Sequence, residues 1–413
     1  MKIFLINSWY GEGSTGKLVK AFHLHLNSEG HEVRVFYGHG KECQDKGVKK
    51  INTGSELYLY ALLCRITGKQ GCYSTHTTDT VINAMKADRP DVVYLFNLHA
   101  YYLNEFKLLE YLKESGIPTV YMLFDEYAYM GKCCFSGECT KFQSECRKCP
   151  AVREYPKSLF FDRSNFMFKR KKSIYKDWER LTFAGVQFLA DRAKSSAIAG
   201  ECRFVPLDMG VDLDGIYYPR ERAALRSQLG IPEDKKIVIT VGVFQDKRKG
   251  IDKYYKIAEL CTNDNIVFIH IGADKKRTSF PQNCIPVTYV SSQDELARYY
   301  SLADVYVMTT SGEAMSLTCM EALGCGCKLI GFDISGTPYS AGEGYGTFVP
   351  YNDLDAFADA IRKSDRKTEE SIAQCRNYAL SRYNITDYVK KLEKIGIQDE
   401  SKGNCQNSQK TGV

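Results

Sequence analysis

The 413-residue chain contains no apolar run near the roughly 18 residues that a membrane-crossing helix requires. It opens on Lys2–Ile6, a core-strand pattern, and not on the charged-then-apolar segment of a secretory leader. Integral-membrane and exported classes are thereby set aside, and a cytoplasmic protein is expected. A strong excess of one charge is missing too: 56 Lys and Arg face 50 Asp and Glu, a net +6. Such mild basicity suits anionic small molecules, or peripheral contact with the anionic inner face of the plasma membrane, and gives no reason to expect nucleic acid as a partner. Internal sequence repeats are also missing, which removes the solenoid and propeller classes.

What is present is an alternation of strand-like and helix-like runs. Val92–Phe96, Thr119–Leu123, Ile237–Thr240, Ile266–Ile271 and Val305–Met308 are short, apolar and rich in β-branched or aromatic residues, as buried parallel strands are. The length is too great for one core and suits two α/β domains. Phe204–Asp212 is punctuated by Pro206 and Gly210 and reads as the hinge between them. The expected boundaries are 1–205 for the first domain, 206–384 for the second, a helix at 385–397 crossing back to the first, and a polar, disordered tail at 398–413.

Sixteen cysteines are spread through these runs, the usage of a reducing compartment in which most thiols pack as small apolar groups. One cluster stands apart. Cys134, Cys139, Cys146 and Cys149, with Cys133 beside the first, fall in a Gly/Ser/Lys-rich loop at 131–150. Four thiolates ending in Cys-x-x-Cys can close a tetrahedral structural Zn²⁺ site, and a loop of this length needs such a fastening. Two disulfides or unligated thiols are the alternatives. Further on, the basic and aromatic stretch Phe166–Lys172 is expected to be the wet face of a helix, with contact to anionic lipid as the second reading.

The stretch Ser311–Gly326 says most about chemistry. An apolar strand pattern ends at Thr310, Ser311 and Gly312 break it, and Leu317, Met320 and Leu323 then repeat at helical spacing, with Ser316 or Thr318 as the cap. Amides at that helix start, near Met315, Ser316 and Leu317, would face the carboxyl end of the sheet, where the helix dipole favours a diphosphate. Glu313 on the loop and Glu321 about one and a half turns into the helix could accept hydrogen bonds from hydroxyls on either side of that anion, as in a sugar nucleotide. A solvated pair of glutamates is the plainer reading.

Near the N-terminus, Gly11–Lys17 follows the first strand and precedes an amphipathic helix from about Lys17 to Ser28. It contains Gly-x-Gly-x-x-Gly and nearly completes a phosphate-loop motif, but position 18 is Leu, with no hydroxyl for Mg²⁺. The second strand, Glu32–Tyr37, runs into Gly38, His39 and Gly40 without the acidic residue that holds a nicotinamide ribose. What survives is a turn in which Gly13 and Gly16 allow backbone to approach a ligand.

These segments resemble the family 4 retaining glycosyltransferases, whose second domain carries Glu-x7-Glu followed by a small-residue turn and a strand, here Glu313 to Glu321 and then Cys327–Phe332. Ser335–Pro338 and Gly344–Pro350 continue the match, and Lys236–Val243 followed by Lys247–Gly250 matches the strand and Lys-Gly signature upstream. The Cys loop and the segment Tyr155–Ser164 are similar to the colanic-acid and capsule-type members. The resemblance implies two Rossmann-like α/β domains facing across a cleft (GT-B), and transfer of a hexose from a nucleotide-diphosphate sugar to a glycan or lipid-linked oligosaccharide in surface polysaccharide synthesis. It implies retention of configuration and no cofactor for catalysis.

By the same resemblance Lys249 neutralises the donor phosphates, Glu313 orients sugar hydroxyls, Glu321 binds the ribose, and Gly242 ends the donor-side strand. Two departures stand out: Val243 where relatives have arginine, for which Arg248 would substitute, and Phe124 where relatives have histidine before Asp125; His99, by contrast, matches a subgroup histidine and is kept as a cleft residue. Two other classes remain open: an impaired member that binds sugar nucleotide without turnover, and a phosphate-loop or NAD enzyme using Gly11–Lys17.

Overall fold

The computed structural model describes every residue except 289, 291 and 408–413, and the side chains of all but these and 398–407. Contacts divide the chain into two units: Met1–Asp208 joined by the chain from Tyr388 onward, and Met209–Asp387.

The first unit is built on a seven-stranded parallel sheet in the order β3-β2-β1-β4-β5-β6-β7. Its strands are β1 Lys2–Trp9, β2 Glu32–His39, β3 Val48–Lys50, β4 Val92–Leu95, β5 Thr119–Leu123, β6 Leu181–Gly185 and β7 Arg203–Pro206. Every residue of β4, β5 and β6 is buried, the mark of a parallel sheet covered by helices on both faces. β1 pairs with β2 on one side and β4 on the other, both parallel, so the order in which strands are added reverses there and leaves a crevice at the carboxyl ends of β1 and β4.

The last helix, Ile385–Asn407, belongs to this unit. The hydroxyl of Tyr94 donates to the carbonyl of Glu393 at 3.0 Å, and the Glu393 carboxylate lies 2.9 Å from His25 and 2.8 Å from His31. Gly396 is required there, because a Cβ would stand 2.1 Å from the Tyr94 oxygen. The polar segment expected to be disordered from residue 398 instead continues this helix to Asn407. Once a helix is nucleated, each further residue adds a hydrogen bond at little extra cost. Residues 408–413, also part of that expectation, lie outside the described residues.

The second unit repeats the plan with six parallel strands in the order β10-β9-β8-β11-β12-β13. They are β8 Lys236–Val241, β9 Ile266–Ile271, β10 Cys284–Val287, β11 Val305–Met308, β12 Lys328–Asp333 and β13 Gly346–Pro350. Val238, Tyr254, Phe268, Val307, Phe332 and Phe357 form the core between sheet and helices. Burying each such side chain contributes about 1.5–3 kcal/mol. Here the order reverses between β8 and β11, so the carboxyl ends of these two strands define the second crevice.

Candidate functional site

In the second unit the loops after β8 and β11 are tied together. The Lys247–Lys249 turn is hydrogen-bonded to the end of β11 by Ser311 N to the Arg248 carbonyl at 2.8 Å, by Thr310 Oγ1 to the same carbonyl at 2.8 Å, and by Thr309 Oγ1 to the Gly250 carbonyl at 2.9 Å. Such closeness demands glycine: Gly250 has φ 63°, and a Cβ would fall 2.0 Å from the Thr309 oxygen. Gly242, at the end of β8, leaves room for the Lys249 stem, whose Cβ and Cγ lie 3.3 Å from where a Gly242 Cβ would be.

The Lys249 ammonium is thereby directed onto the Glu313 carboxylate, to which it donates a hydrogen bond. Burial opposes the ammonium's charge, but Glu313 outweighs it and holds the Lys249 pKa above its ordinary value. The backbone of Glu313 is fixed in turn by Gly336, whose amide donates to the Glu313 carbonyl at 2.8 Å and whose absent side chain admits the Ala314 carbonyl.

Immediately after this pair the helix Leu317–Gly324 begins. Neither expected cap operates: Ser316 makes no side-chain capping bond, because its hydroxyl meets the Thr318 hydroxyl at 2.8 Å, which also meets Tyr306 at 2.7 Å. The first-turn amides of Leu317 and Thr318 therefore have no acceptor among the described residues. An uncapped helix start is the electrostatic requirement for binding an anion. Glu321, the fifth residue of the helix, accepts from Tyr300 at 3.0 Å, while burial, aided by Glu321, raises the pKa of Tyr217.

Met315 and Ser316 are buried, whereas Val243 is 51% exposed. Arg248 turns its guanidinium to Asp246 at 2.9 Å. Of the second-unit residues singled out from the sequence, the structure brings Lys249, Glu313, Gly242 and the Met315–Leu317 turn together and pairs Arg248 with Asp246.

In the first unit the helix after β1 runs Gly13–Ser28, four residues earlier than its sequence pattern suggested. Gly16 is thus inside the helix, and without a side chain it lets the helix lie on Trp9, whose Cβ is 3.1 Å from the position a Gly16 Cβ would take. Gly11 and Gly13 have φ 72° and 66°, which only glycine adopts cheaply. Glu12 precedes the helix and makes no side-chain cap.

Beside this turn, at the ends of β4 and β5, His99 Nε2 lies 2.9 Å from Asp125 Oδ2 and His99 Nδ1 lies 3.0 Å from the Tyr155 hydroxyl. Burial works against the Asp125 charge, but His99 and the Tyr127 amide overcome it and keep the carboxyl below its usual pKa. Phe124 stacks on Phe96, ring centroids 6.0 Å apart, so the imidazole at this edge comes from His99 and not from position 124. Ala100 and Tyr101, with φ 84° and 70°, hold the following turn in a conformation that costs about 1–3 kcal/mol per residue. Tyr155 opens the segment matched to the capsule-type members, but nothing in the sequence paired it with His99. Glu126, next to Asp125, points the other way, to Arg192 and Ser136.

The proposed metal set needs one correction. Cys134 is not with the other thiols of its loop; it joins His99 and Asp125, and these three ligand-type groups lie mutually within 4.8 Å. Cys133 takes the place expected for Cys134. Its thiol hydrogen-bonds to Cys149, whose pKa is thereby lowered to about 6, while burial raises that of Cys146. The two cysteines are adjacent in a loop with no regular structure, so the spacing could not tell them apart.

The two parallel sheets define an α/β protein of the doubly wound kind. Residues 221–382 match the family model described as Glycosyl transferases group 1, so this segment is a glycosyltransferase group 1 domain. The chain is 23% identical over 237 residues to a protein of Escherichia coli strain K12 named as a colanic acid biosynthesis glycosyl transferase, WcaC, covering 52% of this chain and 55% of that protein. The chain spans about half the length of the curated relatives it matches.

Among solved structures, a glycosyltransferase from Rickettsia africae has TM-score 0.68 at 13% identity, covering 96% of this chain and 98% of that one. Anabaena Alr3699/HepE, in complex with UDP, has TM-score 0.64 at 13% identity, covering 96% and 99%. Two parallel α/β units of this kind are the GT-B fold.

Proposed function

We propose that the chain is a retaining glycosyltransferase that moves a hexose from a nucleotide-diphosphate sugar to a glycan or lipid-linked acceptor, in the cytoplasm, for a surface polysaccharide. The observation that carries this reading is the Lys249–Glu313 pair beside the uncapped start of Leu317–Gly324, within a glycosyltransferase group 1 domain. In the reaction the bond from the sugar C1 to the donor phosphate breaks and the diphosphate leaves with its electron pair. The acceptor hydroxyl bonds to C1 on the same face and gives its proton to the departing phosphate oxygen.

Negative charge thus grows on the phosphate, where Lys249 and the amides of Leu317 and Thr318 stabilise it. Glu313 then exchanges its lysine partner for sugar hydroxyls, and Glu321 takes the ribose. Incubation with a panel of UDP, GDP and dTDP sugars, with products read by mass spectrometry, tests the reading. Glu313→Ala is expected to lower turnover and Glu321→Ala mainly donor affinity; unchanged kinetics in both would remove the assignment.

A structural zinc held by Cys133, Cys139, Cys146 and Cys149 is proposed for the loop. The Cys133–Cys149 bond and the amides of Gly131 and Ala151 directed at Cys146 and Cys149 support it. Metal analysis should find about one zinc per chain, lost in Cys149→Ser and kept in Cys134→Ser; metal-free wild type would refute it.

A further inference from the structure

The helix Gly54–Thr67 follows β3 and is held at its N-terminus by a capping box between Thr53 and Glu56. Of its 14 residues only Cys64 is buried. Tyr58, Leu62 and Ile66, four residues apart and so on one line, stand exposed with Leu59 beside them; Tyr58 is 82% exposed. A helix of this composition ordinarily turns such a stripe to a core.

A second apolar segment is seated against its C-terminal end. The Leu159 amide donates to the Arg65 carbonyl at 2.7 Å, and Gly68, φ 73°, is side-chain-free where the Phe161 carbonyl comes in. Leu159, Phe160 and Phe161 are exposed there, Phe160 by 70%, and Phe166 follows on the next helix, Ser164–Tyr175. The two segments adjoin at Arg65–Gly68 and so bring two exposed apolar groups to neighbouring surface.

Its rim is cationic. Lys69 lies over the Phe166 ring at 5.7 Å and Arg163 over the Phe161 ring at 5.5 Å, while Arg65, Lys157, Lys169 and Lys172 are exposed around them. The acidic groups alongside are largely committed within the fold: Glu56 accepts from the Thr53 amide at 2.8 Å, Asp162 from the amides of Cys149 at 2.7 Å and Ser164 at 2.9 Å, and Glu145 from Asn165 at 2.7 Å, with Lys169 3.7 Å away. A second copy of the chain would bring this cationic rim against itself, which costs free energy.

We infer that this face of the first unit docks on an anionic lipid bilayer, with Tyr58, Leu62, Phe160 and Phe161 in the interfacial layer and Lys69, Arg163 and Lys169 against the headgroups. Aromatic and aliphatic groups ringed by lysine and arginine are what such an interface accepts. The helix Ser164–Tyr175 contributes only its edge, because Met167, Phe168, Lys171, Ile174 and Tyr175 are buried. The principal lipid-facing element is therefore Gly54–Thr67 and not the basic stretch singled out in the sequence.

The test is flotation of the full chain with vesicles of phosphatidylcholine alone and of phosphatidylcholine with phosphatidylglycerol. Binding to the anionic vesicles should exceed binding to the neutral ones by at least about tenfold and weaken in about 0.5 M salt. Tyr58→Ser with Leu62→Ser and Phe160→Ser should lower it about tenfold or more, as should Lys69→Glu with Arg163→Glu, with circular dichroism unchanged. Absence of vesicle binding, equal binding by the variants, or a dimer in solution that the serine variants dissociate would each overturn the inference. It does not depend on the donor assignment, since donor cleavage is measured without vesicles.

Discussion

The two sheets share a strand order but furnish their reversal points differently. At the end of β11 the second unit concentrates formal charge, a lysine and a glutamate bonded to each other beside bare helix amides. At the ends of β1, β4 and β5 the first unit has glycines and a hydrogen-bonded chain from Asp125 through His99 to Tyr155. A duplicated scaffold can thus divide labour: one end suits neutralising a leaving group, the other orienting a polar, uncharged partner.

The sharpest way to break that comparison is Lys249→Ala against His99→Ala. Loss of the ammonium is expected to lower kcat about 100- to 1,000-fold, and loss of the imidazole markedly less, in steady-state transfer assays. Equal losses would erase the distinction. Next in size is backbone tolerance. Gly250→Ala must place a methyl into the Thr309 carbonyl at positive φ and should cost about 2–3 kcal/mol in urea unfolding. Gly16→Ala meets Trp9 at 3.1 Å inside a helix, where the better helix propensity offsets the contact, and should stay within about 1 kcal/mol.

Acid and base separate the two ends as well. Asp125 titrates below its usual range in the fold, so its contribution is present above about pH 4 and fades as pH falls through the folded value. The stability gap between wild type and Asp125→Asn should therefore close in acid. Lys249 is shifted upward, so its contribution is present below about pH 10.4 and is lost as pH rises beyond the folded value. The gap to Glu313→Gln should close only in strong base. The smallest effect expected is Glu321→Gln, about five- to tenfold in donor KM, the worth of one hydrogen bond to a ligand hydroxyl.

Much of the scaffold was legible because parallel strands buried on both faces leave uninterrupted apolar runs, as at Val92–Leu95 and Val305–Met308. The Glu313–Glu321 spacing was legible for a local reason, since loop and helix are contiguous. What stayed hidden was set at long range. Nothing near Tyr155 announces His99, 56 residues earlier, and no spacing rule tells Cys133 from Cys134 until Asp125 is in place. The exposed Tyr58, Leu59 and Leu62 would read from sequence as a core stripe, because amphipathicity does not say whether a partner exists.

The clasp of Glu393 between His25 and His31 makes the second unit an insertion within the first. As the polypeptide leaves the ribosome, β4 emerges some 300 residues ahead of the part of the helix that covers Tyr94, on the order of half a minute at ordinary elongation speeds. The early-made sheet must wait with one flank bare while the middle of the chain completes itself, so a message truncated before Ile385 would yield a sound second unit and an unfinished first one.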